Sequence, residues 1–355
     1  MLVTLQEIIG MAEKGNYCIP AFNVYNTETV MGVFDAAEEA KAPVIMQVYP
    51  RLFNEYVGYY LAPAILAAAK KATVPVCFHL DHGPSESEVM KALRLGATGI
   101  MLDGSTHPFE ENVALTKHIV ESCKAVGVGV EGELGHIGSV NDDAMDEFTS
   151  PEQAAEFVKQ VDITCLAVLV GNAHGHYKKP PKLDIERIAA IRTATGGIPL
   201  VLHGGSGIPD DQVKAAINAG IRKMNIGTDV CCAFADGTLE SLNDPNRSLA
   251  VDMFMKKPIE SVKKLALSKI ALTGAYGKAR YNEQSSRYRR VRYGYADKRA
   301  ELPQRGYKNA RRVIKAGRRR SRCNGACRRG KIRRRSRIYR RFVRRRGRQL
   351  FNKGF

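Results

Sequence analysis

VCFHLDHGPSESE, residues 76–88, opens on an apolar run, stops at His82-Gly83 and resumes at Ser85 with Glu88 three positions on. The run reads as a buried strand that delivers an imidazole to one rim of a sheet. The Ser-to-Glu spacing reads as a capping box that starts a helix. The same ending, histidine then glycine after apolar residues, recurs in GNAHG (171–175) with His174 and in VLHGGSG (201–207) with His203.

Outward from this unit, eight short apolar runs each precede a helical pattern. They are CIPAFN (18–23), VIMQV (44–48), VCFHL (76–80), GIMLD (99–103), GVEGEL (129–134), CLAVLV (165–170), PLVLHG (199–204) and KMNIG (223–227). Amphipathic stretches follow at 27–40, 58–71, 85–95, 109–126, 151–161, 184–194 and 209–219, with a longer helical region from 229 to 270, and Ser150-Pro151 places proline at a first helical position. Eight alternating units imply a parallel sheet, and eight strands close a barrel. The expected fold is therefore α/β, a (β/α)8 TIM barrel. Its active site belongs at the carboxyl ends of the strands, where this chain places Asn23, Asp81, His82, Asp103, Glu131, Glu133, His174, His203 and Asn225.

Three imidazoles suit a catalytic zinc, which takes three protein ligands and keeps a fourth position open. His82, His174 and His203 are the expected ligands. Because successive side chains of an extended strand point to opposite sides, Asp81 is expected to face away from the metal and to serve as acid and base. Two glycine-rich turns, GGSGIPDD (204–211) and NIGTD (225–229), follow the seventh and eighth runs and lead into helices. Such turns offer backbone N–H groups to a phosphate, so Gly204, Ser206, Asn225, Gly227 and Thr228, with Gly175 nearby, are expected to hold one. A metal that polarises a ketone beside a proton-accepting carboxylate is equipped for retro-aldol cleavage.

Residues 1–279 resemble the class II, zinc-dependent ketose-bisphosphate aldolases, the fructose- and tagatose-bisphosphate branch. PAFNVYN (20–26), HLDHG (79–83), MLDGS (101–105), EGELG (131–135), VGNAHGHYK (170–178), LHGGSG (202–207) and MNIGTD (224–229) carry the likeness, in order. The resemblance implies zinc on His82, His174 and His203, with Asp103 and Glu133 beside the metal as supporting or alternative ligands. Asp81 would exchange a proton with the C4 hydroxyl of a ketohexose bisphosphate. Asn23 and Lys178 would contact substrate, and a monovalent cation, Na+ or K+, would sit near Gly175. Family members move the C3 proton with an acidic loop after the fifth strand, which makes Asp142 or Asp143 the expected group. The second phosphate is met in the family by a basic residue from a late helix, often across a subunit interface, for which Lys257 is the nearest match, and the chain is expected to form a homodimer or homotetramer. Tyr49 departs from the small hydroxyl residue usual after the second strand. His79 is expected in the core, His107, His118 and His136 have no assigned partner, and His176 could support the ligand two residues before it.

Charge divides the chain. Of 55 Lys and Arg and 36 Asp and Glu, 30 basic and only 3 acidic residues lie in 280–355, a net +27, which leaves residues 1–279 at −8. The Arg-rich segment is expected not to fold by itself. It reads either as an arm for nucleic acid or as an out-of-frame extension, because Glu and Lys codons read one base off yield Arg and Lys. No 18-residue apolar run or basic leader is present, and the eight cysteines show no disulfide spacing, so a cytoplasmic protein without a membrane partner is expected. Two other functions compete with the aldolase: a metal-dependent phosphosugar epimerase or isomerase, and a barrel that carries a nucleic-acid-binding tail.

Overall fold

In the computed structural model, which describes residues 1–54, 56–139, 148–175, 177 and 181–279, eight parallel strands close on themselves in sequence order. They are β1 (Ile19–Asn23), β2 (Val44–Val48), β3 (Val76–Gly83), β4 (Gly99–Leu102), β5 (Gly129–Leu134), β6 (Cys165–Val168), β7 (Leu200–Leu202) and β8 (Ile221–Ile226). The β8 register on β1, Ile19 opposite Lys223 through Phe22 opposite Ile226, seals the barrel. The strands read as continuous apolar runs because both faces are covered, one by the interior and one by helices.

Local chemistry sets the helix ends. Thr4 and Glu7 form a capping box at the head of Leu5–Gly15, whose Leu5, Ile8, Ile9 and Ala12 fall on one buried stripe. Main-chain bonds from Leu5 to Thr98 and from Val76 to Met1 seat this helix against the amino ends of the strands. Ser150 accepts from the Gln153 N–H with Pro151 just inside the helix, as the sequence predicts. At Ser85 the detail differs: its hydroxyl accepts from the Ser87 N–H and is itself bonded to the Glu88 carboxylate.

Two departures from the sequence reading matter. The helical region expected from 229 to 270 is three helices, Thr228–Asn243, Val251–Phe254 and Lys256–Leu272. Pro245 explains the break, since it lacks an N–H and disfavours helical backbone at Asp244. A short helix, Pro50–Asn54, also follows β2 and lays the Tyr49–Arg51 segment beside the barrel mouth. The last long helix packs on Thr27–Ala40 at Gly32, where an added Cβ would stand 2.8 Å from the Ile259 carbonyl oxygen. Phe22, Phe78 and Phe157 are fully buried around the barrel wall; truncating one to alanine costs about 3–5 kcal/mol. Among the described residues no helix is long and apolar enough to cross a membrane.

Candidate active site

The end of β3 is irregular, and that irregularity builds the site. Leu80 pairs with Ile100 but Gly83 pairs with Leu102, so β3 spends one more residue than β4 across the same span. His82 takes up the excess in a left-handed conformation, φ 46°, a backbone strain of about 1–3 kcal/mol that surrounding contacts must hold. The expected alternation of Asp81 and His82 is thereby undone. Both side chains face the same cavity, with His82 Nε2 3.9 Å from Asp81 Oδ1. Asp81 is set apart by its hydrogen bonds instead. Asn23 Nδ2 donates to its Oδ2 at 2.8 Å and Asn225 Nδ2 to its Oδ1 at 3.0 Å. Those amides are held in turn, Gln47 Nε2 donating to Asn23 Oδ1 at 2.9 Å and Lys223 Nζ to Asn225 Oδ1 at 2.7 Å. Burial alone would raise the Asp81 pKa, but His82, His203, Lys223 and the Asn23 bond together hold it below the usual carboxylate value.

The three imidazoles converge. Ring centroids lie 4.9 Å apart for His82–His174, 4.6 Å for His82–His203 and 5.7 Å for His174–His203. One ring nitrogen from each lies within 4.8 Å of the others. His82 Nε2, His174 Nε2 and His203 Nδ1 are all buried and lack a hydrogen-bond partner among the described residues, a state native interiors avoid unless something else occupies the lone pair. The opposite nitrogens of two rings are fixed by carboxylates. His82 Nδ1 lies 2.7 Å from Asp103 Oδ2, and His203 Nε2 lies 2.9 Å from Glu131 Oε1. Carboxylates of this kind set the tautomer and aim of a metal-binding imidazole.

Electrostatics favour a cation here. Burial, then the neighbouring His82, pushes His174 down to about 4, and burial likewise holds His203 well below its ordinary value, so both rings are neutral. Burial also opposes charge on His82, yet Asp81, Asp103 and Glu133 raise it to about 10, while burial and Asp103 push Glu133 up to about 8. An acid-rich pocket that draws a proton onto an imidazole would accept a divalent ion in its place. Glu133 Oε2 is buried without a hydrogen-bond partner, 3.5 Å from His203 Nδ1, and His82, Asp103 and Glu133 form a second possible ligand group. The donor set therefore fits a metal such as zinc.

One step deeper in the barrel the charges are matched. Fully buried Lys223 lies 2.8 Å from Glu131 Oε2, so one ammonium orients both the carboxylate behind His203 and the Asn225 that holds Asp81. His79 sits at this level with Nε2 3.5 Å from Glu131, kept neutral by burial and Lys223, its pKa pushed down to about 3.

A cavity of about 440 Å³ opens above these groups. Gly175, Gly204, Ser206, Gly227 and Thr228 line it together with Asn23 and Asn225. Gly204 has φ 60° and an added Cβ would stand 2.0 Å from the Ala173 carbonyl oxygen, so only glycine fits where these two loops meet. Tyr177 ties them, its hydroxyl accepting from the Ala173 N–H at 2.8 Å and lying 3.2 Å from the Gly204 carbonyl oxygen. Ser206 Oγ accepts from the Asp229 N–H at the head of Thr228–Asn243, an anion-favouring helix N-terminus.

Not every expected residue is brought here. Lys257 does not reach the cavity of its own chain; its Nζ lies 3.2 Å from Glu240 and 3.1 Å from Asp244, because its helix turns that face toward Thr228–Asn243. Asp142, Asp143, Lys178 and His176 lie outside the described residues. His107 and His118 pair with Glu111 and Glu86 at 3.0 and 3.2 Å. His136 lines the cavity, its Nδ1 3.2 Å from the Ser105 hydroxyl that also donates to Asp103 at 2.7 Å. Sequence reasoning placed Glu131 at the rim without a specific role and gave none to Lys223, Ser105, Tyr25 or Arg51. For Lys223 a signal existed: it stands two residues before Asn225, a rim residue, and so shares its face of the strand.

The family model described as "Fructose-bisphosphate aldolase class-II" matches residues 3–278. YdjI of Escherichia coli K12, described as an uncharacterized protein, is 42% identical over 272 residues, which is 76% of this chain and 96% of YdjI. A fructose-bisphosphate aldolase of Geobacillus stearothermophilus is 41% identical over 252 residues, 69% of this chain and 88% of that protein. The crystal structure of the YdjI aldolase from Escherichia coli K12 aligns with a TM-score of 0.71 at 39% identity, covering 79% of this chain and 100% of that one. A closed parallel barrel with three unpartnered imidazoles at its mouth, matched along nearly all of its described length by that model, belongs to the class-II fructose-bisphosphate aldolase family.

Proposed function

We propose that this lyase cleaves a ketohexose 1,6-bisphosphate, fructose or tagatose, reversibly to dihydroxyacetone phosphate and glyceraldehyde 3-phosphate. One observation carries the reading: three buried imidazole nitrogens without partners face one point, beside a carboxylate clamped by two asparagines. His82, His174 and His203 would hold zinc, with Asp103 and Glu133 behind or beside them. Bound there, zinc supplies Lewis acidity toward the substrate ketone.

The chain's own groups do the rest. Asp81, low enough in pKa to be ionised, accepts the proton of the C4 hydroxyl as the C3–C4 bond breaks, and the C4 half leaves as the aldehyde. The bonding pair stays on the dihydroxyacetone phosphate half as an enediolate, and C3 is then protonated by Asp142 or Asp143 from the loop after β5. Gly204, Ser206, Gly227 and Thr228 would hold the phosphate of this half, with Gly175 beside a monovalent cation and Lys178 and Asn23 at the substrate. A second copy of the chain would complete a homodimer or homotetramer.

Triose-phosphate release from fructose and tagatose 1,6-bisphosphate, with and without a chelator, tests the proposal. Release from one or both, abolished by the chelator and restored by zinc, is expected. Conversion of the ketose to an epimer with no triose phosphate would replace the aldol reading with the epimerase one.

A further inference from the structure

We propose that Arg51 is the specificity-determining residue that recognises an anionic group at the substrate end remote from the dihydroxyacetone phosphate half. This rests on the aldol reading above. Among the described residues that line the mouth cavity, Arg51 is the only Arg or Lys. It makes no ion pair with a described residue, whereas Lys257, the cation expected for this task, is held by Glu240 and Asp244 outside the cavity. Its guanidinium carbon lies 6.0 Å from the Tyr25 ring centroid and 5.9 Å from that of Tyr49. Two aromatic rings thus flank the fork while its N–H groups have no partner among the described residues.

Topology puts Arg51 at the right end. It follows β2, which stands across the closed barrel from β6, and the glycine turns suited to the first phosphate follow β6, β7 and β8. Asp81 and His82 end β3, next to β2, and face His174 and His203, which follow β6 and β7, across the mouth. A ketose phosphate seated in the turns, with its C3–C4 bond at Asp81, would therefore direct its far end toward the wall that carries Tyr49 and Arg51. A planar guanidinium recognises phosphate or carboxylate through paired N–H donors, so either terminal anion would satisfy it.

The test compares three substrates in the full chain loaded with zinc: fructose 1,6-bisphosphate, a ketose 1-phosphate ending in a carboxylate, and fructose 1-phosphate, which ends in a hydroxyl. Wild type is expected to prefer an anionic end. In Arg51→Met the ratio of kcat/KM for the preferred anionic substrate over fructose 1-phosphate should fall about 10- to 100-fold, the range for losing a charged hydrogen-bonded pair, with Arg51→Lys recovering part of it. The larger fall identifies phosphate or carboxylate as the group read. A ratio that does not move in Arg51→Met overturns the assignment while leaving the aldolase intact. The three are run in the fructose and the tagatose configuration at C4; wild type that forms dihydroxyacetone phosphate from none of them in either series overturns the aldol reading, and this assignment with it.

Discussion

Two levels of the same barrel treat buried charge in opposite ways. At the level of Glu131 and Lys223 the ions meet each other, 2.8 Å apart and wholly shielded from water. Two residues further along β5 and β8, toward the mouth, Glu133 Oε2 and three imidazole nitrogens are just as enclosed and have no partner. Protein interiors seldom tolerate either arrangement without a reason. The lower level spends its polarity on holding side chains in place, and the upper level keeps its polarity available to a ligand. His79 in the lower level also has two unpartnered ring nitrogens, so function in this chain is marked by the convergence of several unpaired buried atoms on one point, more than by a single unpaired atom or by buried charge as such.

The largest expected effects lie at the upper level. His174→Ala should lose both bound zinc and turnover, the latter by about 10³-fold or more, given the several kcal/mol that a bound metal contributes to such chemistry. The fold should survive, since the deleted ring nitrogen has no partner to strand. Metal analysis beside a turnover assay decides this; a variant that retains both would break the contrast between levels. Asp81→Ala should keep zinc yet lose about 10²- to 10⁴-fold in turnover, the span attributed to a positioned general base. A zinc-free Asp81→Ala protein would instead make this carboxylate part of the metal site.

Much of this was legible in the residues, for physical reasons that also explain the failures. Parallel strands covered on both faces leave unbroken apolar runs, and the turns between them concentrate His, Asp and Gly, so the eight units and the rim could be read directly. The β3 bulge could not, because it exists only in the pairing of Leu80 and Gly83 with β4, and it inverted the geometric reason given for Asp81. The setting of Lys257 was hidden for a related cause: helix periodicity gives the spacing of a side chain but not that its face meets Glu240 and Asp244 within its own chain. Arg51 escaped notice because it lies in a five-residue helix whose approach to the mouth is set by tertiary packing.

A smaller effect on turnover, and a larger one on folding, is expected one level down. Lys223→Met leaves Glu131 buried beside His79 and His203 without its cation, a loss of about 3–5 kcal/mol for one partner of a buried pair. Because Glu131 orients His203 and Lys223 also holds Asn225, zinc affinity and turnover should weaken too, though less than in His174→Ala. Denaturant unfolding of the zinc-free protein separates the two roles. An unchanged midpoint would show that the lower level does not hold the structure together and would collapse the distinction drawn between them.

The smallest expected effect comes from the region with the larger net charge. Residues 280–355 carry a net +27, lie beyond the 3–278 match to the family model and stand outside the described residues, whereas residues 1–279 carry −8 and hold every group assigned to the site. Removing 280–355 should leave triose-phosphate release and zinc content unchanged. If the tail is an arm for nucleic acid rather than an out-of-frame extension, the full chain should bind RNA or DNA with an affinity that falls steeply with salt, and the truncation should abolish that binding. The two halves of the experiment answer separate questions. Turnover that falls with the tail would mean the barrel's mouth depends on a charged segment that its own pairing pattern gives no sign of needing. Salt-sensitive binding that persists without the tail would have to come from an acidic body, against the sign of its charge.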